Sequence, residues 1–356
     1  MKSAGPHCDR RDIFISGTEG YHTFRIPSLL TAADGTLLAF AEGRRNGRGD
    51  AGEINLVLRR STDGGTTWGP LTIVWADGPN TCGNPCPVLD RDTGTIWLWL
   101  THNLGQDHEK LIVTGKSVGT RTAWCCRSED HGATWTRPTE MTAAVKQPQW
   151  TWYATGPGAG LQTRAGRLVI PCDFKEPAEN HYGSHVVFSD DHGASWHAGA
   201  PVPADRVNEC EVAEREDGAL LLNMRNYSQT ERRRACALSR DGGATWGPVT
   251  HDAALIEPIC QASLRRLAWP RDGRPGALLF SNPASTTARV NLTVRRSRDD
   301  GATWPVARAL WAGPAAYSCL AVLADGRPAC LYERGDQHPY ERITLARFTE
   351  EWLMSV

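Results

Sequence analysis

The sequence predicts an all-β fold, because one eight-residue pattern returns along the whole chain of 356 residues. The pattern is Ser-x-Asp-x-Gly-x-(Thr or Ser)-Trp, and average composition gives one match on the order of once per million positions. The first copy starts at residue 61 and the fifth at 297, so copies begin on average 59 residues apart and about six units fit the chain. Such a unit suits a four-stranded propeller blade with enlarged loops. The copies of this box are Ser61–Trp68, Ser128–Trp135, Ser189–Trp196, Ser239–Trp246 and Ser297–Trp304.

A glycine turn followed by a short apolar run recurs at the same period and supplies the sixth unit. Asp-Gly between apolar runs predicts a β-hairpin, because glycine adopts a positive φ without steric cost. The sixth unit lacks a box and ends in the apolar run Ile343–Phe348. We therefore predict a six-bladed β-propeller with four antiparallel strands per blade, closed by pairing between the two ends of the chain. The turns are Asp34-Gly35, Thr93-Gly94, Ala165-Gly166, Asp217-Gly218, Asp272-Gly273 and Asp325-Gly326.

The boxes themselves are predicted to be hairpin turns. Asp and Ser can bond the amides of a turn, Gly supplies the left-handed residue, and Trp packs beneath it. Each box offers only one or two carboxylates, whereas Ca²⁺ takes six to eight oxygen ligands. We therefore expect no metal at these loops.

Composition limits the class of protein. The repeats run from end to end, so residues 1–356 are predicted to form a single β-propeller domain. A net charge of −1 argues against a nucleic-acid partner, and no apolar run reaches the length of a membrane span. The N-terminus has no apolar leader and the 11 cysteines cannot all pair. These features predict buried thiols and a cytoplasmic protein as written, or a secreted one whose leader is missing.

The chemistry is predicted at the rim opposite the turns. Strands alternate in direction, so residues about eight positions from a glycine turn lie roughly 26 Å away at ~3.3 Å per residue. By this spacing Arg25, Glu209 and Tyr317 share one phase at the top of the innermost strands. The loops and second or third strands add further polar residues to the same rim. These are Arg44, Asp50, Arg225, Arg289 and Glu333.

With these residues in place, the sequence resembles the exo-α-sialidase (neuraminidase) family of the non-viral bacterial and animal type. The resemblance covers essentially the whole chain. It depends on the repeated boxes together with Phe24–Pro27, which spells the family's FRIP motif near the N-terminus. The boxes occur in other folds too, whereas FRIP followed by two later arginines and a tyrosine before the last turn is specific.

The resemblance implies how a substrate is held. Arg25 of FRIP, Arg225 and Arg289 would grip the carboxylate of a terminal sialic acid, which three guanidiniums can bind by charge-assisted hydrogen bonds. Arg44 would lie near the substrate and Glu333 would pair with Arg25. No cofactor or metal is implied. The expected partners are sialylated glycans, whether glycoproteins, oligosaccharides or glycolipids.

The resemblance also implies the chemistry of a retaining exo-α-sialidase with a covalent sialyl-tyrosine intermediate. Tyr317 resembles the nucleophile, Glu209 its activating base and Asp50 the acid/base catalyst. A neutral phenol avoids the repulsion that a carboxylate nucleophile would meet beside the substrate's own carboxylate. Since the pKa of tyrosine is ordinarily about 10, the phenol needs a base. Glu211 shares a strand face with Glu209. We favour Glu209 as the base because its phase matches that of Tyr317.

Other rim positions are candidates for the pocket wall, and other functions remain as alternatives. The chain could be a trans-sialidase or a hydrolase that prefers the related sugar acid Kdn. A non-catalytic propeller binding module agrees less well with the motifs, because binding needs neither nucleophile nor acid. The candidate wall residues are Asn84, His102, Asn103, Trp152, Tyr153, Asp173, Lys175, Gln261 and Asn282.

Overall fold

The computed structural model of the chain describes residues 5–355, and most of this range is β-strand or turn. Within it, short helices interrupt the strands as α1 (Glu109–Ile112), α2 (Thr142–Val145) and α3 (Glu350–Met354). No helix in the described range is long and apolar enough to cross a membrane. In chain order the strands are β1 (Cys8–Ile15), β2 (Thr23–Thr31), β3 (Leu37–Arg44), β4 (Ile54–Ser61), β5 (Thr72–Trp75), β6 (Thr81–Leu89), β7 (Ile96–Asn103), β8 (Thr122–Ser128), β9 (Thr139–Glu140), β10 (Trp152–Thr155), β11 (Leu161–Gln162), β12 (Leu168–Glu176), β13 (His181–Ser189), β14 (His197–Ala198), β15 (Val207–Glu214), β16 (Leu220–Asn226), β17 (Arg233–Ser239), β18 (Thr250–Ile256), β19 (Ser263–Ala268), β20 (Ala277–Pro283), β21 (Val290–Ser297), β22 (Val306–Val322), β23 (Pro328–Arg334) and β24 (Arg342–Phe348).

The strands form consecutive antiparallel meanders, and each meander matches one period of the sequence pattern. In the first, β2 to β5 pair in chain order, with Asp34-Gly35 between β2 and β3 and the Ser61–Trp68 box between β4 and β5. The glycine turns and the boxes therefore lie at the same end of the meanders, which we call the box rim. We call the opposite end of the meanders the pocket rim. The later meanders are β6–β9, β10–β14, β15–β18, β19 to the first half of β22, and the second half of β22 to β24 with β1.

Hydrogen bonding merges these meanders into four sheets, where the sequence predicts six separate ones. A parallel bridge from Ile54 to Thr81 joins the first two meanders. The fifth and sixth share β22, whose 17 residues run straight from an outer strand of one meander into the first strand of the next. The physical reason is a short connection: no turn separates Pro314, paired with β21, from Ala315, paired with β23.

The two ends of the chain pair, as predicted. Strand β1 lies antiparallel to β24 from the Cys8–Phe348 pair to the Ile15–Arg342 pair. Arg347 also bonds Asp9 at 2.6 Å and donates to the carbonyl oxygen of Gly64 in the first box at 2.8 Å. The N-terminal strand therefore completes the last meander, and Arg347 of β24 ties that meander to the first.

Apolar side chains fill the space between neighbouring meanders. Leu38, Phe40 and Leu56 pack with Leu98 and Leu100 of the second meander. The other face of β3 packs against β23 and β24 of the last meander. The first meander therefore packs against the second meander on one face and against the last meander on the other. All eleven cysteines are free, and nine of them are buried.

The first strands of the meanders meet one another around a common axis. Ser28 Oγ donates to the carbonyl oxygen of Gly158 at 2.7 Å, and Gln261 Nε2 donates to those of Pro157 and Ser318 at 3.0 and 2.9 Å. These bonds join residues more than 50 positions apart in the sequence. Side chains at the pocket-rim ends of the first strands are therefore brought to one place.

The boxes are turns that satisfy their own polar groups. In the third box Asp191 accepts bonds from Ser189 Oγ, the Ser195 amide and Ser195 Oγ at 2.6–2.8 Å. Gly193 has φ +86°, and a Cβ there would lie 2.2 Å from the Trp97 ring. The glycine is required both for the left-handed conformation and for close packing against the preceding meander.

Candidate active site

A pocket of about 290 Å³ opens at the pocket rim, where all six meanders contribute side chains to its wall. Of the principal residues predicted from the sequence, seven line it directly. Glu333 lies beneath the wall and is fully buried. The seven are Arg25, Arg44, Asp50, Glu209, Arg225, Arg289 and Tyr317.

Four first strands carry a β-bulge where a pocket residue projects. At each bulge three steps along the first strand match two along its partner, which bends the strand and re-aims a side chain. In β2 the bulge places Ile26 at φ +59°, and in β6 it places Asn84 at φ +53°. The positive φ of Ile26 is unusual for a β-branched residue and shows that its surroundings impose it. The bulges span Arg25–Ser28, Gly83–Cys86, Val207–Cys210 and Ala315–Ser318.

Tyr317 and Glu209 form the centre of the site. Tyr317 Oη donates to Glu209 Oε1 at 2.6 Å, and Arg225 Nη1 donates to Glu209 Oε2 at 2.6 Å and to Tyr317 Oη at 3.1 Å. Burial and the Glu209 carboxylate raise the pKa of Tyr317 well above 10, against the opposing effect of three nearby arginines. The resting phenol is therefore protonated, with a carboxylate placed to accept its proton. Glu211 instead accepts from Ser263 Oγ and the Leu264 amide.

Glu333 joins the first arginine to the tyrosine strand. Its carboxylate accepts from Arg25 Nε and Nη2 at 3.1 and 3.3 Å, and from the amides of Ile26 and Tyr317 at 2.9 and 3.1 Å. All four donors belong to the bulges of β2 and β22. A single buried carboxylate therefore fixes both the guanidinium of Arg25 and the backbone that carries Tyr317.

Arg289 differs from the other two arginines around Tyr317. Arg25 and Arg225 each pair with a glutamate, whereas Arg289 bonds Tyr340 Oη at 2.8 Å and the Ile259 carbonyl oxygen at 3.4 Å. Among the described residues no carboxylate pairs with Arg289. The Cζ atoms of Arg25 and Arg289 lie 4.9 and 5.6 Å from the Tyr317 ring centre, so an uncompensated positive charge stands beside the phenol.

Asp50 is half-exposed and is held by two arginines. Its Oδ1 lies 2.7 Å from Arg44 Nη2 and 3.4 Å from Arg25 Nη1. Arg44 is in turn fixed by Glu42 Oε2 at 2.6 Å. Desolvation raises the pKa of Asp50, but Arg44 and then Arg25 outweigh it and bring that pKa down to about 2. Asp50 is therefore ionised in the unliganded protein.

The other residues predicted to line the wall either face the pocket or face away from it, because successive side chains of a strand point in opposite directions. Asn84, Trp152 and Asp173 line the pocket. Tyr153, adjacent to Trp152 on β10, faces the opposite way into an apolar cluster and is fully buried. Gln261 also lies outside the wall, because its amide is occupied by the bonds that join the first strands. The prediction that Tyr153 and Gln261 line the pocket is therefore wrong.

Four further candidates make local polar contacts in place of pocket contacts. His102 bonds Asp77 and Lys175 bonds Asn180. The amide groups of the remaining two, Asn103 and Asn282, donate to backbone carbonyls. They lie near the pocket-rim ends of their strands, but the side chains of His102, Lys175 and Asn103 bond neighbouring loops, and that of Asn282 bonds the end of β18.

The structure adds wall residues that sequence reasoning did not single out. Arg121 donates to Asn84 Oδ1 at 2.7 Å and its Cζ lies 4.3 Å from the Trp152 ring centre. Tyr340 bonds Arg289 and faces Arg25, whose Cζ is 4.2 Å from its ring centre. The signal that could have found both is topological: loops between second and third strands end at the pocket rim, as the loop carrying Asp50 does. The other additions are Ile26, Glu42, Arg48, Glu109, Val113, Ala154, Tyr182, Asn208 and Tyr227.

Comparison with known proteins gives a consistent result. The family described as "BNR repeat-like domain" matches residues 35–330. The chain is 36% identical to a "Sialidase" of Micromonospora viridifaciens over 96% of this chain, but spans only 54% of that protein. It is 31% identical to "Sialidase-3" of Mus musculus over 100% of this chain and 98% of that protein. The solved structure titled "Hadza microbial sialidase Hz136" aligns with a TM-score of 0.84 at 34% identity, covering 94% of this chain and 67% of that one.

Proposed function

The chain belongs to the sialidase family, whose fold is a β-propeller, and on that premise we propose that it is a retaining exo-α-sialidase. It would hydrolyse terminal α-linked sialic acids from glycoconjugates. One observation carries this proposal: the uncompensated charge of Arg289 stands beside a protonated tyrosine that is already bonded to a carboxylate base. An anionic group bound there would lie within reach of a nucleophile.

The proposed reaction begins when the substrate carboxylate binds Arg25, Arg225 and Arg289. Tyr317 Oη attacks the anomeric carbon while Glu209 accepts the phenolic proton, and the bond to the leaving oxygen breaks as Asp50 protonates it. Water then attacks the sialyl-tyrosine with Asp50 as base, and the proton on Glu209 returns to the phenolate. Two displacements at one carbon give net retention.

The charges around Asp50 support its role as an acid. In the unliganded protein Arg25 and Arg44 keep Asp50 ionised. A substrate carboxylate on Arg25 would neutralise one of these cations, and an approaching anion favours the protonated form of a neighbouring acid. Substrate binding would therefore raise the pKa of Asp50 at the step that needs its proton.

We further propose that the propeller has six blades of four strands. This is supported by the meanders that match the six periods of the sequence and by the pairing of β1 with β24, which completes the last meander. Sharing of β22 between two meanders is compatible with this count, because its two halves pair with different neighbours.

The test is hydrolysis of an aryl α-sialoside, with the first-formed anomer of the product identified by ¹H NMR. We expect release of the α-anomer before mutarotation, and far slower release from the methyl ester of the same substrate, which lacks the carboxylate. No hydrolysis would overturn the proposal, and initial β-anomer would overturn retention.

The same assay separates the alternatives. A sialylated product formed when lactose is added would identify a trans-sialidase. Faster turnover of the Kdn glycoside than of the N-acetylneuraminyl glycoside would identify a Kdn-preferring hydrolase.

A further inference from the structure

The connection between the fourth and fifth meanders passes beneath the arginines of the pocket. Residues 257–262 link β18 to β19; the 257–260 connection is the first part of this link, and Ile259 within it has φ +57°. A β-branched residue in the left-handed region is strained, and it persists only where the surroundings over-determine it. The 257–260 connection is therefore held in place by something stronger than its local preference.

The connection touches two parts of the site. The Ile259 carbonyl oxygen accepts from Arg289 Nη2 at 3.4 Å. Cys260 is fully buried and packs in one cluster with Ile26, Ala316 and Tyr317. A displacement of this connection would move both a bonding partner of Arg289 and the floor under the phenol.

A fully buried ion pair holds the connection. Arg234 Nη1 lies 2.8 Å from Glu257 Oε2, and neither side chain has any exposed surface. Arg234 Nη1 also donates to the Cys260 carbonyl oxygen at 2.7 Å, and its Nε donates to Asn223 Oδ1 at 2.7 Å. The Cys260 amide in turn donates to Glu257 Oε2 at 3.4 Å. Cys260 is thus fixed through both its N–H and its C=O.

The same glutamate reaches the strand of the second arginine. Glu257 Oε1 accepts from the amide of Asn226 at 2.7 Å, directly after Arg225 at the end of β16. Glu257 is therefore linked to Arg225 by one hydrogen bond and the adjoining backbone, and to Arg289 by two hydrogen bonds through the 257–260 connection. A buried ion pair is often no more stabilising than apolar residues of the same volume, so its directed bonds need another explanation.

We infer that Glu257, assisted by Arg234, is a positioning residue that sets the separation of Arg225 and Arg289 for a ligand carboxylate. The inference rests on the proposed function, because it supposes that these arginines bind the substrate's carboxylate together. Glu257 itself touches no part of the pocket wall. Its effect would be transmitted through the amides of Asn226 and Cys260 and through the Ile259 carbonyl.

The test uses Glu257→Gln, which keeps the size of the side chain and removes its charge. Calorimetry would compare binding of N-acetylneuraminic acid with binding of its methyl ester, which lacks the carboxylate charge. We expect wild type to prefer the acid, and the variant to lose at least tenfold of that preference with a matching fall in kcat/KM on an aryl sialoside. A general loss of folded protein lowers both affinities equally and leaves their ratio unchanged.

A matched control is Asp300→Asn. Asp300 forms a largely buried pair with Arg266 at 2.5 Å, but at the box rim, so this variant should keep the wild-type ratio. Should Glu257→Gln fail to fold, Arg234→Lys retains the charge while losing the directed bonds to Asn223 and the Cys260 carbonyl, and it should shift the ratio in the same direction.

Two failures are distinguishable. A wild-type protein that neither hydrolyses the sialoside nor prefers the acid overturns the proposed function. A wild-type protein that does both, with Glu257→Gln or Arg234→Lys at the wild-type ratio and rate, overturns the positioning role alone.

Discussion

The two rims of the molecule each hold an aspartate whose pKa is lowered to about 2, but by different means. At the box rim Asp191 is lowered by hydrogen bonds from Ser195, through its hydroxyl and then its amide, and from Ser189. At the pocket rim desolvation would raise the pKa of Asp50, and Arg44 and Arg25 reverse it. Uncharged hydrogen-bond donors within a single turn lower the pKa of Asp191, whereas the positively charged arginines of the pocket lower the pKa of Asp50.

This difference separates an aspartate that stabilises a turn, Asp191, from one that could take part in a reaction, Asp50. The partners of Asp191 lie within four residues of it, so the turn carries them wherever it folds. One partner of Asp50 is Arg25, a group the proposed substrate would engage. The pKa of Asp191 is therefore fixed by the fold, whereas that of Asp50 can change during a reaction cycle.

The largest expected effect is that of Tyr317→Phe, a substitution at the centre of the pocket rim. Removing the hydroxyl deletes the proposed nucleophile but leaves the Arg225–Glu209 pair intact. We expect kcat on an aryl sialoside to fall by roughly 10³-fold or more. The thermal midpoint should stay near that of wild type. Turnover within tenfold of wild type, in protein shown to be folded, would refute the assignment.

A smaller and more specific effect is expected for Arg44→Met, which removes the nearer cation from Asp50. The pKa of Asp50 should then rise toward its ordinary 3.8. Because a general acid works while protonated, a higher pKa keeps it active to higher pH. The alkaline limb of the pH dependence of kcat, which reports the enzyme–substrate complex, should therefore move upward, whatever happens to the amplitude.

Arg45→Met is the matched control for that shift. Arg45 is the next residue in the chain, but it pairs with Glu53 and stacks on Tyr21, away from Asp50. Its replacement should leave the limb in place. An equal displacement in both variants would mean that net charge, and not the contact with Asp50, controls the limb.

The comparison of the rims also explains how far the sequence could predict the structure. Each box is eight residues long and contains its own hydrogen-bond partners. Its position, its turn and the spacing of the meanders could therefore be predicted from the sequence. The pairing of β1 with β24 was predicted too, because the sixth unit lacks a box and ends in a single apolar run. At the pocket rim the partners lie on different strands, and some pairs, such as Tyr317 and Glu209, join different meanders, so only the phase of each residue was visible.

That limit accounts for the particular errors. Tyr153 was placed in the wall because the direction of β10 side chains depends on register, and the same register turns Trp152 toward the pocket. Tyr340 was missed because the loop that carries it has no repeat to anchor it. The bulges at Ile26 and Asn84 have no sequence marker, since neither position is a glycine.

The smallest effect is expected at the box rim, from Asp191→Ala. The variant loses three bonds that close one turn, so we expect a Tm lower by on the order of 2–4 °C and unchanged kcat and KM. Because the pKa of Asp191 is lower in the folded protein than in the unfolded chain, its ionised carboxylate stabilises the fold at pH values above 3.8. That stabilisation is lost as the pH falls from 3.8 to about 2. The Tm difference from wild type should therefore be complete at pH 7 and shrink across that acidic window. A change in KM at pH 7 would show that the two rims are coupled, and the separation between structural and chemical aspartates would fail.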